Sequence, residues 1–446
     1  MNNNLIFSIS LVALTILVFS CNFNKKDSKV DIGDRQPNIV LIISDDQGWT
    51  DYGFMGHKYI ETPHLDGLAS EGLTFTYGYS TVSLCGPSLA SMITGLYPHQ
   101  HKILGNDPVF EFSETKKYGN NWLVERADKY KPIIDNFEKL PTIPDLLKEK
   151  GYLSLQTGKW WEGSYNKGGF TNGMTHGDPK RGGRHGDAGL TIGREGLDTI
   201  YNFINMAKQQ DKPFFIWYAP FMPHSPHNPP DSLLNKFLPT APSPAIAEYW
   251  AMCEWFDITC GNLIDYIEQK KMRENTIFVF VCDNGWIQDP KKNNRYAPRS
   301  KRSPYEKGVR TPIIFNWPGF IKPQIDTSNV INSLDIAPTL LALCGISPTE
   351  DMQGINVLDE EKLANRNEVF CEIFAHDFSN IDSSLYYRVI LTNPWKLIIP
   401  DKDNLSHAMP ELYNIFEDPD ERDNKAAEYP EIMEDLMKRT DKWWKK

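Results

Sequence analysis

The chain has 446 residues, a net charge of −11, 40% apolar and 24% charged residues, and seven cysteines. These values describe a globular protein able to bury a large core, with room for one large domain and a smaller one. The negative balance argues against nucleic acid or an anionic membrane as a general partner. An anionic substrate would need Lys, Arg and His gathered locally against that field.

Residues 5–20 are apolar and uncharged and lead to Cys21. The run is short for a spanning helix and suits the core of a signal peptide, so export to the periplasm or cell surface is expected. Val18-Phe19-Ser20-Cys21 resembles a bacterial lipoprotein box with Cys21 as the acylated residue. A plain secretory signal and an uncleaved anchor stay open, because Phe19 is bulky for that box and the first four residues carry no Lys or Arg. On this reading residues 1–21 are the signal, residues 22–36 a flexible tether, and membrane contact runs only through the lipid.

Asn38–Ile43 is a continuous apolar run, the pattern of a strand covered on both faces. Asp45-Asp46 follow it directly. A helix is expected over Pro63–Ser70, with Pro in its first turn. Cys85 lies in a small-residue turn, Ser83-Leu84-Cys85-Gly86-Pro87-Ser88, ahead of a helix-like stretch. A cysteine placed among hard-cation ligands points to an activated nucleophile at a metal site; a buried structural thiol is the default for any single cysteine. Residues 163–196 are Gly-rich, including Gly182-Gly183-Arg184-His185-Gly186, and read as a long functional loop.

Further strands are expected at Phe214–Tyr218, Thr276–Val281 and Pro312–Phe315. A helix over Ala245–Glu268 places Trp250, Phe256, Leu263 and Ile267 on one stripe. The alternation predicts an α/β fold over 37–365, a large doubly wound mixed sheet flanked by helices. Ligands gather at the carboxyl ends of strands in such sheets, and both Asp45-Asp46 and Asp283-Asn284 fall there. From Glu368 short strands crowd together (369–374, 387–391, 395–399) before a final helix from Pro430 to Trp444. This predicts a smaller C-terminal antiparallel sheet plus helix over 366–446. The cysteine spacings show no zinc pattern. Cys253 and Cys260 stand about 10 Å apart along their helix, too far to bridge each other. They and Cys282, Cys344 and Cys371 read as mostly buried thiols.

Several short pieces occur in a telling order: Asn38–Gly48, Thr62–Asp66, Cys85–Ser88, Thr94–His99, Thr157–Trp160, Pro223–Pro226, Cys282–Gly285, Lys301–Pro312, Trp317–Gly319, and Glu411–Asn414 with Glu417–Pro419. Together they resemble a formylglycine-dependent (type I) sulfatase of the alkaline-phosphatase superfamily over nearly the whole exported chain. The resemblance implies that a formylglycine-generating maturation enzyme oxidises Cys85 to formylglycine (3-oxoalanine). Its hydrated aldehyde would attack sulfur and later expel sulfate. It implies Ca²⁺ held by Asp45, Asp46, Asp283, Asn284 and residue 85. It carries Lys159 over as a cation bridging sulfate and the formylglycine hydroxyl. His224 and Lys301 become contacts to the sulfate and leaving oxygen, His224 as general acid, and Asp283 a further proton acceptor. Taken singly, the lysines read as solvated, His224 as a turn histidine, and Asp45-Asp46 as turn or cap chemistry.

Two positions depart from that family. Leu89 stands where it has Arg, four residues after the cysteine, and Trp161 where it has His, two after Lys159. Arg184, His185, His99 and His101 are the candidates to compensate. The pattern reads as a divergent subgroup. Trp160, Trp161, Tyr165, Arg184 and His185, in or beside the Gly-rich loop, suit a sulfated carbohydrate, with aromatic faces on sugar rings and Arg on anions. Core packing of the tryptophans is equally open. Two other functions stay in view. One is a phosphodiesterase or phosphonate hydrolase of the same superfamily, which the His-poor metal set argues against. The other is a catalytically silent glycan-binding protein, suggested by Leu89 and Trp161.

Overall fold

An uninterrupted apolar strand needs cover on both faces, and β1 (Asn38–Ser44) has it, all seven residues being buried. Ile39, Leu41 and Ile43 face one core; Val40 and Ile42 face another. The computed structural model describes residues 36–107, 122–178, 181, 185–377 and 380–444. The expected signal, tether and Cys21, and also Arg184, lie outside the described residues.

The other strands of the large sheet are β2 (Leu73–Phe75), β3 (Leu153–Gly158), β4 (Asn172–Gly173), β5 (Phe214–Ala219), β6 (Thr276–Cys282), β7 (Ile313–Asn316) and β8 (Gln324–Asp326). Their order is β4-β3-β5-β1-β6-β7-β2-β8. The stretch from β4 to β6 is parallel, and β7 runs antiparallel to both β6 and β2. This is the doubly wound mixed sheet.

Helices cover both faces. α1 (Pro63–Ser70), α5 (Asp198–Gln209) and α6 (Pro244–Gln269) bury Leu65, Ile200, Ile204, Phe256, Leu263 and Ile267 against Val40 and Ile42. On the other face α2 (Cys85–Thr94), α4 (Ile143–Lys148) and α7 (Ile336–Leu343) pack Leu89, Ile93, Leu147 and Leu340 against Leu41 and Trp217. α3 (Trp122–Phe137) contributes Phe137 to that face. Trp250, assigned to the α6 stripe, instead stacks on Tyr59 at 4.9 Å outside both sheet cores. The reason is helical rotation: six positions before Phe256, at about 100° per residue, a side chain points about 120° away from the stripe.

The C-terminal part is a second sheet, β9 (Val369–Phe374), β10 (Leu385–Leu391), β11 (Trp395–Pro400) and β12 (Glu411–Asn414), antiparallel in chain order. α8 (Pro430–Trp443) closes one face, with Leu436 packed against Ile390, Leu397 and Leu412. The other face meets the large body through Tyr79 and Val309. The Gly-rich stretch is less open than a plain loop. It holds two 3₁₀ turns, Tyr165–Gly168 and Asp187–Thr191, and the edge strand β4. Cys85, Cys253, Cys260, Cys282, Cys344 and Cys371 are free and buried. Among the described residues no helix is long and apolar enough to cross a membrane.

Candidate active site

The parallel strands release their chains at one edge, and the releases of β1, β3, β5 and β6 lead to functional side chains. β1 gives Asp45 and Asp46. The register Ser44↔Cys282 sets Asp283 and Asn284 of β6 beside them. Asp45 N–H donates to the Met222 carbonyl and Asp283 N–H to the Ser44 carbonyl, both at 3.0 Å. Lys159 leaves β3 with its N–H on the Ala219 carbonyl (2.7 Å). The turn requires Gly158, whose φ is +75° and whose added Cβ would lie 1.8 Å from that carbonyl oxygen. Asp46 itself takes a left-handed φ of +63°, held by its N–H on Asp283 Oδ1 (3.1 Å). Such strain in an Asp is stored where the surroundings over-determine it.

Cys85 opens α2 and faces this edge. Its Sγ lies 3.4 Å from Asn284 Oδ1, 3.9 Å from Asp45 Oδ1 and 4.0 Å from Asp46 Oδ1. Lys301 Nζ donates to it at 3.1 Å and also pairs with Asp46. Lys159 Nζ lies 2.6 Å from Asp45 Oδ1 and 3.6 Å from Asp283 Oδ2. Asn284 Nδ2 donates to Asp46 Oδ1 (2.7 Å), and His224 Nε2 stands 3.4 Å from Asp46 Oδ2. Cys85, Asp45, Asp46, Asp283, Asn284, Lys159, Lys301 and His224, drawn from six places in the sequence, therefore form one cluster.

The cluster is not self-sufficient. Three carboxylates against two lysines leave one excess negative charge. Asp45 Oδ2, Asp46 Oδ2 and Asp283 Oδ2 are buried with no hydrogen-bond partner among the described residues. A buried, unmatched carboxylate oxygen is costly unless a cation meets it. Ligand atoms of Asp45, Asp46, Cys85 and His224 all lie within 4.8 Å of one another. The unspent donors are carboxylate oxygens, with the Asn284 amide beside them, and that set fits a hard divalent cation.

Burial pushes the Asp45 carboxyl well up, against the pull of Lys159. Burial also raises Asp46, but Lys301, His224 and Lys159 outweigh it and hold that carboxyl well below the usual range. Burial drives the Cys85 thiol up to about 12, although Lys159 and Lys301 lower it. An unmodified Cys85 is thus not an activated thiolate. Burial takes His224 well below the ordinary imidazole value, Asp46 opposing it.

The wall opposite the strand edge is aromatic. Trp161 is 2% exposed and lies over Gly86, its Cγ 3.5 Å from where a Cβ would stand. His185 meets the edge of Trp161 (centroids 4.7 Å), stacks on Phe221 (5.4 Å) and lies 6.4 Å from His224. Of the compensating groups considered above, His185 alone among the described residues borders the site. His99 is engaged by Glu372 through both its ring and its N–H, and His101 Nε2 by Ser91 Oγ (3.0 Å). Leu89 is buried in the apolar core below α2.

The exposed-aromatic expectation is corrected. Trp160 is fully buried edge-on to Trp217 and Phe170, because the turn after Gly158 aims it inward. Trp161 is likewise covered, so neither offers a free ring face to solvent. Tyr165 is half-buried against Gly173 and His176.

Two arginines escaped the sequence reading. Arg194 donates to the carbonyls of Phe221 (2.7 Å) and His224 (2.9 Å) and so pins the turn carrying His224. Arg126, 4% exposed, grips the loop beside α2. Arg194 sits in the Gly-rich stretch already suspected of function; Arg126 lies in a charge-rich segment that reads as a solvated helix face.

The family model described as Sulfatase matches residues 37–346, and one described as N-sulphoglucosamine sulphohydrolase, C-terminal, matches residues 296–446. The chain belongs to the sulfatase family. It is 28% identical over 363 residues to the N-acetylgalactosamine-6-sulfatase of Canis lupus familiaris, covering 73% of this chain and 66% of that one. The chain thus spans just under two thirds of the length of that relative. A sulfatase of Formosa agariphila is 28% identical, covering 94% of this chain and 90% of its own. The solved structure of Ps i-CgsB is 25% identical with a TM-score of 0.70, covering 92% of this chain and 93% of its own. A phosphonate monoester hydrolase of Agrobacterium radiobacter shares the fold at 16% identity and a TM-score of 0.67. Fold alone therefore does not separate sulfate from phosphonate ester chemistry.

Proposed function

We propose that the protein hydrolyses a sulfate ester on a carbohydrate, using a formylglycine made from Cys85 and a Ca²⁺ ion held by Asp45, Asp46, Asp283, Asn284 and residue 85. The observation that carries this reading is the set of three buried carboxylate oxygens that accept no hydrogen bond, on Asp45, Asp46 and Asp283, two of which approach Cys85 Sγ through their other oxygen. Bound there, the cation would supply Lewis-acid stabilisation to a sulfate oxygen and turn the site's net charge from −1 to +1, the sign that receives a sulfate monoester. Formylglycine supplies a nucleophile that the raised thiol of Cys85 does not.

The chain's own groups do the rest. Lys159 and Lys301 hold fixed positive charge on two sides of residue 85. His224 presents Nε2 to the reacting face; its ring is neutral in the substrate-free site, and an anionic sulfate beside it favours the protonated ring, which is then placed to hand a proton to the leaving oxygen. His185, with Phe221, forms the wall a sugar would lean on, and Arg184 belongs to the same segment. Trp161 backs His185 from below. Sugar substrates fit the relatives: the N-acetylgalactosamine-6-O-sulfatase of Bacteroides thetaiotaomicron is 24% identical over 94% of this chain. Ps i-CgsB has been solved with k-i-k-neocarrahexaose. The proposal includes export, lipid anchoring at Cys21 and a formylglycine-generating maturation enzyme as partner.

The test is mass spectrometry of the peptide containing Cys85, from a host with that maturation enzyme, alongside sulfate release from a panel of sulfated galactose, N-acetylgalactosamine and glucosamine sugars. An aldehyde at residue 85 and release that disappears in Cys85→Ala are expected. An unmodified thiol with no turnover, or turnover that survives Cys85→Ala, overturns the reading.

A further inference from the structure

The residue immediately after the nucleophile position is held by two groups, and one side chain holds both. α2 begins at Cys85 without a side-chain cap from Leu84. Its first-turn N–H groups therefore need partners from elsewhere. Gly86 N–H finds one in Asn106 Oδ1 at 2.8 Å. The fit is close enough that a Cβ at position 86 would also lie 2.8 Å from that oxygen. The second group against Gly86 is the Trp161 ring.

Arg126 reaches both. Its Nη2 donates to the Asn106 carbonyl, and its Nε donates to Asp107 Oδ1 at 2.8 Å, fixing the loop that presents the Asn106 amide. Its guanidinium lies 5.5 Å from the Trp161 ring centroid and 4.6 Å from that of Tyr130. A planar guanidinium both forks hydrogen bonds and stacks on rings, which a lysine does not reproduce. Leu89, one turn into α2, offers neither.

We infer that Arg126 is a positioning residue for the nucleophile, bracing residue 85 through Asn106 on one side of Gly86 and Trp161 on the other. The inference rests on the formylglycine reading of Cys85 for its effect on turnover, but not for the brace itself.

The experiment compares Arg126→Ala, Arg126→Lys and Asn106→Ala with the parent protein. Backbone hydrogen exchange is followed over residues 86–89 at the amides of Gly86, Ser88 and Leu89, with formylglycine occupancy by mass spectrometry and kcat and KM per aldehyde on the best sulfated sugar of the panel. Exchange at 86–89 should quicken about tenfold in both alanine variants while β6 and β10 stay protected. The kcat per aldehyde should fall about tenfold or more with KM within about threefold, and Arg126→Lys should recover only part of the loss. Unchanged exchange at 86–89 in both alanine variants overturns the brace. Faster exchange with unchanged kcat per aldehyde overturns its role in positioning. If Arg126→Ala loses protection throughout the molecule, Asn106→Ala decides, since it leaves the Arg126 ring contacts in place. An unconverted Cys85 in the parent protein defeats the sulfatase mechanism, and the exchange measurement still decides whether Arg126 braces residue 86.

Discussion

Two buried charge clusters lie in this molecule, and they are built to opposite ends. Under the C-terminal sheet, Lys396 of β11 lies 3.0 Å from Glu306 and 2.9 Å from Glu421, both buried. Arg310 stands 3.5 Å from Glu306, and Tyr79 O–H donates to the same carboxylate at 3.0 Å. Two cations meet two anions, and the charges close. At the strand edge three carboxylates meet two lysines, so one negative charge is left over, and Asp45 Oδ2 meets neither a hydrogen bond nor a cation among the described residues. A closed cluster joins two parts of a fold; an open one has room for a charge from outside. The two differ in what removing a carboxylate or a lysine should do.

The largest effect is expected in the closed cluster. Lys396→Met leaves Glu421 buried without its cation and Glu306 with only the more distant Arg310, and should cost about 3–5 kcal/mol in thermal or urea unfolding. A loss below about 1 kcal/mol would show that water already reaches the pair. The open cluster should respond the other way. Asp283→Asn keeps an acceptor for the Asp46 N–H and removes the excess charge, so cation-free stability should hold or rise. Activity should fall about 100-fold or more, or about 2.7 kcal/mol of transition-state stabilisation. Calcium titration sharpens this: the parent should gain about 2.7 kcal/mol at a hundredfold excess over Kd, and Asp283→Asn much less. Equal calcium stabilisation of both proteins would remove Asp283 from the ligand set.

The strand edge was legible because buried parallel strands announce themselves. Asn38–Ile43 and Thr276–Val281 are apolar without a break, and acids stand where each run stops. Register then does what the sequence cannot state, pairing Ser44 with Cys282. The three-residue strands β2 and β8 are too short to show a period, and nothing in Pro312–Phe315 marks β7 as antiparallel. Neighbouring Trp160 and Trp161 look alike in sequence, yet one fills the core while the other roofs Gly86. Arg126 was hidden by its own segment: Glu125, Arg126, Asp128, Lys129 and Lys131 resemble a solvated helix face. Its partners lie 19 and 20 residues upstream.

Arg194 tests whether the open cluster depends on support outside its own charges. Its hydrogen bonds go to main-chain carbonyls at Phe221 and His224, not to a carboxylate. Arg194→Ala should therefore free the His224 turn and lower kcat about tenfold, with thermal stability nearly unchanged. Arg194→Lys, which cannot fork to both carbonyls, should restore only part. An unchanged kcat would show that the turn holds His224 without help.

The smallest effect separates both clusters from a lone buried acid. Asp257 caps α1, accepting from Leu65 N–H (2.9 Å) and His64 N–H (3.3 Å), with no cation paired to it among the described residues. Burial raises its carboxyl to about 7, and those two N–H groups only partly offset the rise. The folded chain therefore binds this proton more tightly than the unfolded chain, whose carboxyl titrates near the ordinary value. Stability from this group is complete below that ordinary value and is lost as pH rises through about 7. Asp257→Asn keeps an acceptor and has no proton to lose. Its stability relative to the parent should climb between about pH 4 and pH 7 and then level. A difference that stays flat across that range would mean Asp257 ionises as freely in the fold as in the open chain, and that two backbone N–H groups suffice where the strand-edge carboxylates have lysines.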